Sequence, residues 1–579
     1  MDSIPAHEPR FSVVTAQKAT GATYTPPGLA EFVADQIVSR IAPSDAPRSL
    51  RVLDPAAGDG ALLAALGRAL LAAGHERFEL HGVEQDASAA GASEARLRGE
   101  FAAQRVEVKC GDFLAPQAHQ GAGPMFAIRA PERFDLVIAN PPYVRTQVLG
   151  AEAARALAHR FGLRGRVDLY HAFLLAIPDV LADDGIAGII VSNRFISTKG
   201  GATLRTILPQ RLRLHHLWDL GDTKLFDDAV LPAVLIGSSA AACLEQTAPC
   251  KFSSIYSEPG AECTRTALEP IAAVRGSAGL VRLADARCFR VRHGVLERSD
   301  EPGGVWRLSE AAGDAWLERV RAATWRTFGQ VGKIRVGVKT TADSVFIRDD
   351  WAEVLGADAL PELLRPLTTH HVGRRYRAVT QPRPKLILYP HLADGRGRSV
   401  ADLAAYPRAR AYLERHRAAL SSRKYVAEAG RQWFEIWVPQ SPAAWPLPKL
   451  VFRDITDRPT FWIDESGSVI NGDCYWMVVD EAGSAHRGDL LLKLAVAVGN
   501  STFIEHFYDR MFNNKLYAGR RRFISQYVEK FPIPDPSSAH AREIVRAVEL
   551  ILARGESSPE EESAVDRLVW TAFGLTPNH

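Results

Sequence analysis

Cysteines are few and unpaired by pattern. The six present, Cys110, Cys243, Cys250, Cys263, Cys288 and Cys474, are scattered over 579 residues with no C-x-x-C spacing. That excludes a disulfide framework and a zinc ribbon, and it fits reduced thiols in a cytoplasmic protein that needs no metal. A charge of one sign is also missing. Lysine and arginine total 70 against 67 acids, a net +3, so composition does not announce a nucleic-acid binder, and only a localised basic face would make one. Long apolar runs are absent as well. The longest, 61–73, is broken by Arg68 and falls short of a membrane span, while the mixed-charge residues 1–11 do not form a signal peptide. No membrane association is expected. Internal repeats and low-complexity segments are lacking too.

What is present is a strand–helix rhythm. Apolar strands are expected at 50–53, 78–83, 106–109, 134–138, 186–191, 214–219 and 233–237, with helices such as 61–73 and 87–103 between them. Alternation of this kind predicts an α/β fold, a doubly wound and mostly parallel sheet of Rossmann-like type, whose ligands sit outside the carboxyl ends of the strands. After about residue 245 the rhythm is lost and aromatic residues cluster (Trp433, Phe434, Trp437, Tyr475, Trp476). The length calls for two domains, and the expected division is 1–245 and 246–579, the second of mixed α+β type. Its end carries two helices readable from their caps. One spans 539–553 and stops at Gly555, and the next opens on the capping box Ser558-Pro559-Glu560-Glu561.

Three strand ends carry polar or small residues that the fold alone does not require. The first strand runs into Asp54-Pro55-Ala56-Ala57-Gly58-Asp59-Gly60, where glycines let the backbone pass close to a ligand and a helix N-terminus offers unpaired N–H groups. Position 63 is Leu63, not the third glycine of a dinucleotide fingerprint, which argues against a pyrophosphate. Glu84 closes the second strand, where a carboxylate can accept both hydroxyls of a ribose. Asp112 follows the third, placed to accept from an adenine amine while Phe113 packs on the ring. Upstream, Tyr24-Thr25-Pro26-Pro27 leads into an amphipathic helix and reads as a cofactor lid only in this company.

The fourth strand ends in Asn140-Pro141-Pro142-Tyr143. Two prolines remove two backbone donors and hold the chain extended. A simple terminator needs neither the asparagine nor the aromatic residue. Both suit the activation of an amine whose lone pair is delocalised into a ring. Hydrogen bonds from its two N–H groups to the Asn140 side-chain oxygen and the Pro141 carbonyl favour a pyramidal nitrogen, by preorganised electrostatics and not by base catalysis. Tyr143 is placed to stack on a base, which must leave a duplex before its amine is reachable.

Taken in order, these segments resemble the gamma class of adenine-specific, TaqI-like DNA methyltransferases of restriction–modification systems. The resemblance extends through Asp168-Leu169-Tyr170 with Phe173 and through Ser192-Asn193-Arg194-Phe195. It implies S-adenosylmethionine as cofactor, held by Tyr24, Thr25, Pro26, Asp54, Ala56, Gly58, Gly60, Glu84, Asp112, Phe113 and Asn140. It implies Asn140, Pro141, Pro142 and Tyr143 as catalytic residues, with Phe226 packing against the flipped base. One departure is Ala57, where the family often carries cysteine.

Only 80 residues separate the glycine turn from Asn140, too few for an inserted domain, so recognition of double-stranded DNA is expected C-terminally. There, residues 334–340, 513–517 and 531–534 resemble parts of TaqI-like specificity domains. The basic groups Arg374, Arg375, Arg377 and Arg520, Arg521, Arg522 are candidates for phosphate contacts, although such runs are often only solvated surface. Cleavage is expected to belong to a separate cognate restriction endonuclease, and one site with one recognition domain implies a monomer. RNA adenine or a protein glutamine amide poses the same lone-pair problem, and both stay open as substrates at this stage.

Overall fold

The computed structural model describes residues 25–42, 48–115, 133–143, 151–164, 168–226, 230–240, 248–299, 301–394, 397–479, 485–512 and 520–577. The chain forms two compact units, one closing at Glu310 and the other opening at Ala311.

The first unit is built on one twelve-stranded sheet. Its strands are β1 (Leu50–Asp54), β2 (Phe78–Glu84), β3 (Arg105–Cys110), β4 (Phe134–Ala139), β5 (Leu181–Ser192), β6 (Leu212–Asp219), β7 (Pro232–Ser239), β8 (Lys251–Ser257), β9 (Arg265–Ala267), β10 (Gly279–Leu283), β11 (Cys288–Glu297) and β12 (Arg307–Ser309). They lie in the order 3-2-1-4-5-7-6-8-11-10-9, with β12 on β11. Strands β3 to β5 are mutually parallel, and β7 is antiparallel to both β5 and β6. The expected α/β sheet is therefore present, with every strand foreseen between 50 and 237.

Alternation along β4 explains its burial on both faces. Leu136 and Ile138 join one core with the helices Pro27–Val38 and Ala61–Ala72. Val137 and Ala139 join another with the helices Leu169–Val180 and Ala202–Arg211. Period-two side chains between two helical layers are what a parallel sheet requires. Gly188 on β5 lets the first helix seat directly on the sheet, since a Cβ there would lie 2.7 Å from Ile37 Cδ1. The chain reverses its direction of growth between β1 and β4. This is the switch point, the place outside the strand ends where ligands of open α/β sheets bind.

The first unit runs past the division expected near residue 245. Strand β8 pairs parallel with β6, and β11 pairs antiparallel with β8 over seven residues. The loss of strand–helix rhythm marks a change from crossover to hairpin connections within the same sheet, not its end.

The second unit holds a four-stranded antiparallel sheet of Gly332–Val336, Cys474–Val479, Lys449–Arg453 and Phe461–Asp464. One face packs on the helices Ala485–Asn500, Thr502–Phe512, Ala539–Arg554 and Pro559–Ala572. A separate aromatic core contains Trp351, Tyr412, Trp445, Trp462 and Trp476. The terminal caps form as expected. Ser558 Oγ accepts from Glu561 N–H at 3.2 Å while Ser558 N–H donates to Glu561 Oε2 at 3.0 Å, and Gly555 ends the preceding helix at φ +82°. Among the described residues no helix is long and apolar enough to cross a membrane.

Candidate active site

Strand β1 ends on Asp54, which is fully buried. Its Oδ1 accepts from Ala56 N–H at 3.0 Å, closing a small turn, while Oδ2 has no partner. Burial pushes the Asp54 carboxyl up to about 7, opposed by the Ala56 N–H and reinforced by the nearby Glu84 and Asp59. The turn continues with Gly58 at φ +51° and Gly60 at φ +80°, a left-handed geometry that disfavours a side chain. A Cβ on Gly60 would meet Ser93 Oγ at 2.6 Å, whereas a Cβ on Gly58 would meet nothing within 4 Å. Gly60 is thus a packing glycine, and Gly58 faces open space.

Glu84 joins this turn to the end of β2. Its Oε2 accepts from Gly58 N–H at 2.9 Å and its Oε1 from Asp86 N–H at 3.0 Å. The carboxylate is consequently fixed in position beside the glycine turn. At the end of β3, Asp112 Oδ1 accepts from Leu114 N–H at 2.9 Å. Phe113 stacks on Phe173 with ring centroids 5.6 Å apart, so the aromatic residue of the Asp168–Phe173 segment supports this strand end.

Asn140 leaves β4 half-buried, with Pro141 buried behind it. The amide is held from both sides: Nδ2 donates to Thr25 Oγ1 at 3.0 Å, and Oδ1 accepts from the Tyr143 hydroxyl at 3.0 Å. Burial pushes the Tyr143 phenol far above its ordinary value, so it stays protonated and keeps donating. Its ring lies 6.2 Å from that of buried Tyr170. Sequence reasoning expected Thr25 beside a ligand and Tyr143 as a stacking platform. Both side chains instead bond to Asn140: the Thr25 bond spans 115 residues and leaves no trace in a local motif, whereas Tyr143 lies only three residues away.

Asn193, Asp219 and Tyr256 form a second polar group at the carboxyl ends of β5, β6 and β8. Asn193 Nδ2 donates to Asp219 Oδ1 at 2.9 Å and to the Tyr256 hydroxyl at 3.0 Å, and that hydroxyl donates to Asp219 Oδ2 at 2.7 Å. Asp219 also accepts from Gly221 N–H at 3.1 Å. Burial pushes its carboxyl up to about 6. This group fixes the chain where it leaves three strands of the sheet. Its one sequence signal was the Ser192–Phe195 segment, since Tyr256 lies beyond the expected boundary.

Several expectations change. Phe226 is only 6% exposed and belongs to the same core as Phe32 and Trp218. Arg375 is an internal ion-pair partner: it bonds Glu562 and the Asn500 carbonyl, with 11% of its side chain exposed. Arg521, at 10%, is bonded to Glu505 at 3.0 Å and Asp509 at 2.8 Å. Both are thus engaged by partly buried acids within the second unit. Arg522 pairs with Asp454 at 3.1 Å and Arg377 with Glu556 at 3.6 Å, while Arg374 and Arg520 are exposed. Tyr24 and residues 513–517 lie outside the described residues.

Comparison with known proteins agrees with this geometry. Residues 101–226, which contain β4 and the Asn140 turn, match the profile of the Eco57I restriction-modification methylase, and residues 406–533 match the TaqI-like C-terminal specificity domain. The type II methyltransferase M.BanIII of Aneurinibacillus aneurinilyticus is 35% identical over 96% of this chain and 98% of its own length. M.XhoI of Xanthomonas vasicola, also a type II methyltransferase, is 27% identical over 79% of each. The fold of DrdV, determined in a complex with DNA, is similar at a TM-score of 0.50 and 12% identity, covering 93% of this chain and 58% of that one. With a glycine turn, a fixed acid and an anchored Asn-Pro-Pro-Tyr at its strand ends, and a relative that it parallels almost end to end, this chain belongs to the type II restriction–modification methyltransferases.

Proposed function

We propose that this protein methylates the exocyclic N6 amine of an adenine in double-stranded DNA, with the base turned out of the duplex, and so protects DNA from a separate restriction endonuclease. S-adenosylmethionine is the cofactor, and when bound it supplies a methyl group already activated on a sulfonium. The residues fit it. Gly58 borders open space, and Glu84 is fixed with both oxygens beside the turn, where carboxylate lone pairs suit ribose hydroxyls. Asp112 and Phe113 stand at the next strand end for an adenine ring. Thr25, just ahead of the helix Pro27–Val38, accepts from the Asn140 amide.

The observation that carries the reading is the anchored amide of Asn140. An amine held by Asn140 Oδ1 and the Pro141 carbonyl has both N–H groups directed into acceptors, which localises its lone pair opposite them. Because the amide is gripped by Thr25 and Tyr143, and the carbonyl by two consecutive prolines, neither acceptor must reorganise as charge develops. The proton released from the methylated amine passes to water. Pairing with a specificity domain supports DNA over free RNA or a protein amide as substrate.

The test is expression in a host lacking DNA methylation, followed by genome-wide mapping of modified adenines. Modification confined to one sequence motif is expected. Asn140→Ala should bind S-adenosylmethionine with near-normal affinity by calorimetry while losing turnover. Full activity in that variant would remove the mechanism.

A further inference from the structure

The arginines singled out by sequence are largely neutralised, but the second unit contains a basic site that no sequence run marks. An open concavity of about 460 Å³ is bordered by Arg335, Arg398, Arg431, Trp437, Gln440 and Ser441, and among the described residues no carboxylate borders it. Its wall is rigid. Val438 and Lys339 exchange backbone hydrogen bonds at 2.9 and 3.1 Å, and Gln440, at φ +62°, ties its side chain to the Val336 carbonyl at 2.7 Å.

Two guanidinium groups are presented there without an acidic partner among the described residues. Arg431 lies over the Trp437 ring at 5.0 Å, and its Nη1 donates to the carbonyls of Trp437 at 2.6 Å and Ile436 at 3.3 Å. One edge of the guanidinium is thereby used for orientation and carbonyl satisfaction. The other nitrogens keep their donors for a ligand. Arg398 is exposed and donates to the Gln440 carbonyl at 3.5 Å. The contrast with Arg375, Arg521 and Arg522, each matched to a carboxylate, is one of chemistry: this site has positive charge to spare and a shape to receive something convex. An ion pair inside the protein would have brought its own acid.

We propose that this concavity receives a backbone phosphodiester of bound DNA, with Arg398 and Arg431 as donors to its oxygens. This rests on the reading of the chain as a DNA methyltransferase and names one of its substrate contacts. A phosphodiester projects from the duplex, is singly charged and accepts several hydrogen bonds, which matches forked donors in an open basin. Such contacts set register and affinity and carry no sequence information.

The experiment measures binding of the full-length protein to fluorescent duplexes of unrelated sequence over a series of salt concentrations. Arg398→Ala should weaken binding roughly tenfold on every duplex, the loss of one charge-assisted hydrogen bond, and should lower the slope of log K against log salt by about one. Arg398→Lys should restore most of the slope, because the charge returns even though the fork does not. Arg410→Ala, which removes an exposed arginine elsewhere in the same unit, should leave the slope unchanged. A wild-type slope in Arg398→Ala overturns the proposal while the protein still binds and methylates DNA. So would an equal fall in Arg410→Ala, which reduces the effect to net charge. A site for free phosphate would also leave duplex binding by Arg398→Ala unaltered. If the wild-type protein bound no duplex at all, the methyltransferase reading would fall first and this contact with it.

Discussion

Replacing Asp54 by asparagine should change how the first unit responds to pH, and the size of the change follows from burial. The side chain is fully buried, one oxygen has no partner, and its carboxyl is pushed from 3.8 up to about 7. In the unfolded chain the acid ionises near its ordinary value. The folded state therefore binds the proton more tightly than the unfolded state between about pH 4 and about pH 7. Native stability falls as pH rises through that window, and the full cost is in place above it. A gap of about three pH units is worth about 4 kcal/mol at full burial. Asparagine keeps an oxygen for the Ala56 N–H, cannot ionise, and leaves an amide group unsatisfied at a cost that does not depend on pH. The asparagine variant should thus gain on the wild type as pH is raised from about 4 to about 8, by several degrees in the melting transition of this unit followed by calorimetry. Groups remote from Asp54 titrate alike in the two proteins, so the difference isolates Asp54 together with the acids beside it. A constant difference in melting temperature across the range would refute the reasoning, because it would mean that the carboxyl is already solvated in the folded state.

Tyr143→Phe keeps the ring and removes the hydroxyl that donates to Asn140; kcat should fall roughly tenfold while affinity for S-adenosylmethionine, measured by calorimetry, stays put. An unchanged kcat would show that Thr25 alone orients the amide. Arg521→Ala leaves Glu505 and Asp509 facing each other without their cation, which should destabilise the second unit by about 3–5 kcal/mol in denaturant unfolding. A loss of DNA affinity with no loss of stability would instead restore Arg521 to the DNA-contacting set. Gly60→Ala must tolerate φ +80° and a contact at 2.6 Å with Ser93 Oγ, so a loss of about 1–3 kcal/mol and weaker cofactor binding are expected together. Normal melting and normal binding would show that the turn can shift.

The strand ends were legible because a parallel sheet buried on both faces tolerates polar residues only where the chain leaves it. Asp54, Glu84 and Asn140 each punctuate an apolar run, and their meeting along one sheet edge follows from the parallel order alone. Three other features had no local signature. Phe226 follows a strand at a suggestive distance, but sequence cannot tell whether an aromatic ring turns inward to Phe32 and Trp218 or outward to a ligand. The arginine runs looked basic because their neutralising acids are far away in sequence: Glu562 lies 187 residues from Arg375 and Asp454 lies 68 from Arg522. The same blindness hid the concavity around Arg398 and Arg431, whose arginines are isolated in sequence and come together only by folding. Loss of rhythm near residue 245 has a topological cause, since the sheet continues through hairpins after its helical crossovers stop.

The surroundings of Asn140 also bear on the proposed mechanism, in which catalysis rests on placement. Burial keeps the Tyr143 and Tyr170 phenols protonated. His171, whose ring lies 4.4 Å from that of Tyr170, is pushed down to about 4 by burial, with Arg205 and Arg194 adding to the effect, and so it stays neutral near pH 7. Each of these groups is held in its uncharged form by the apolar core that also stiffens the turn. None is poised to exchange a proton at neutral pH, as a general base would have to be. An amine with both N–H groups satisfied by fixed oxygens does not require one before methyl transfer. It needs its lone pair aimed, and it can give up the proton afterwards, once nitrogen is cationic and strongly acidic. A rigid, neutral strand end is the environment that favours that order of events. The anchoring of Asn140 by Thr25 and Tyr143 matters for the same reason: an acceptor free to rotate would spend the aim that the prolines provide.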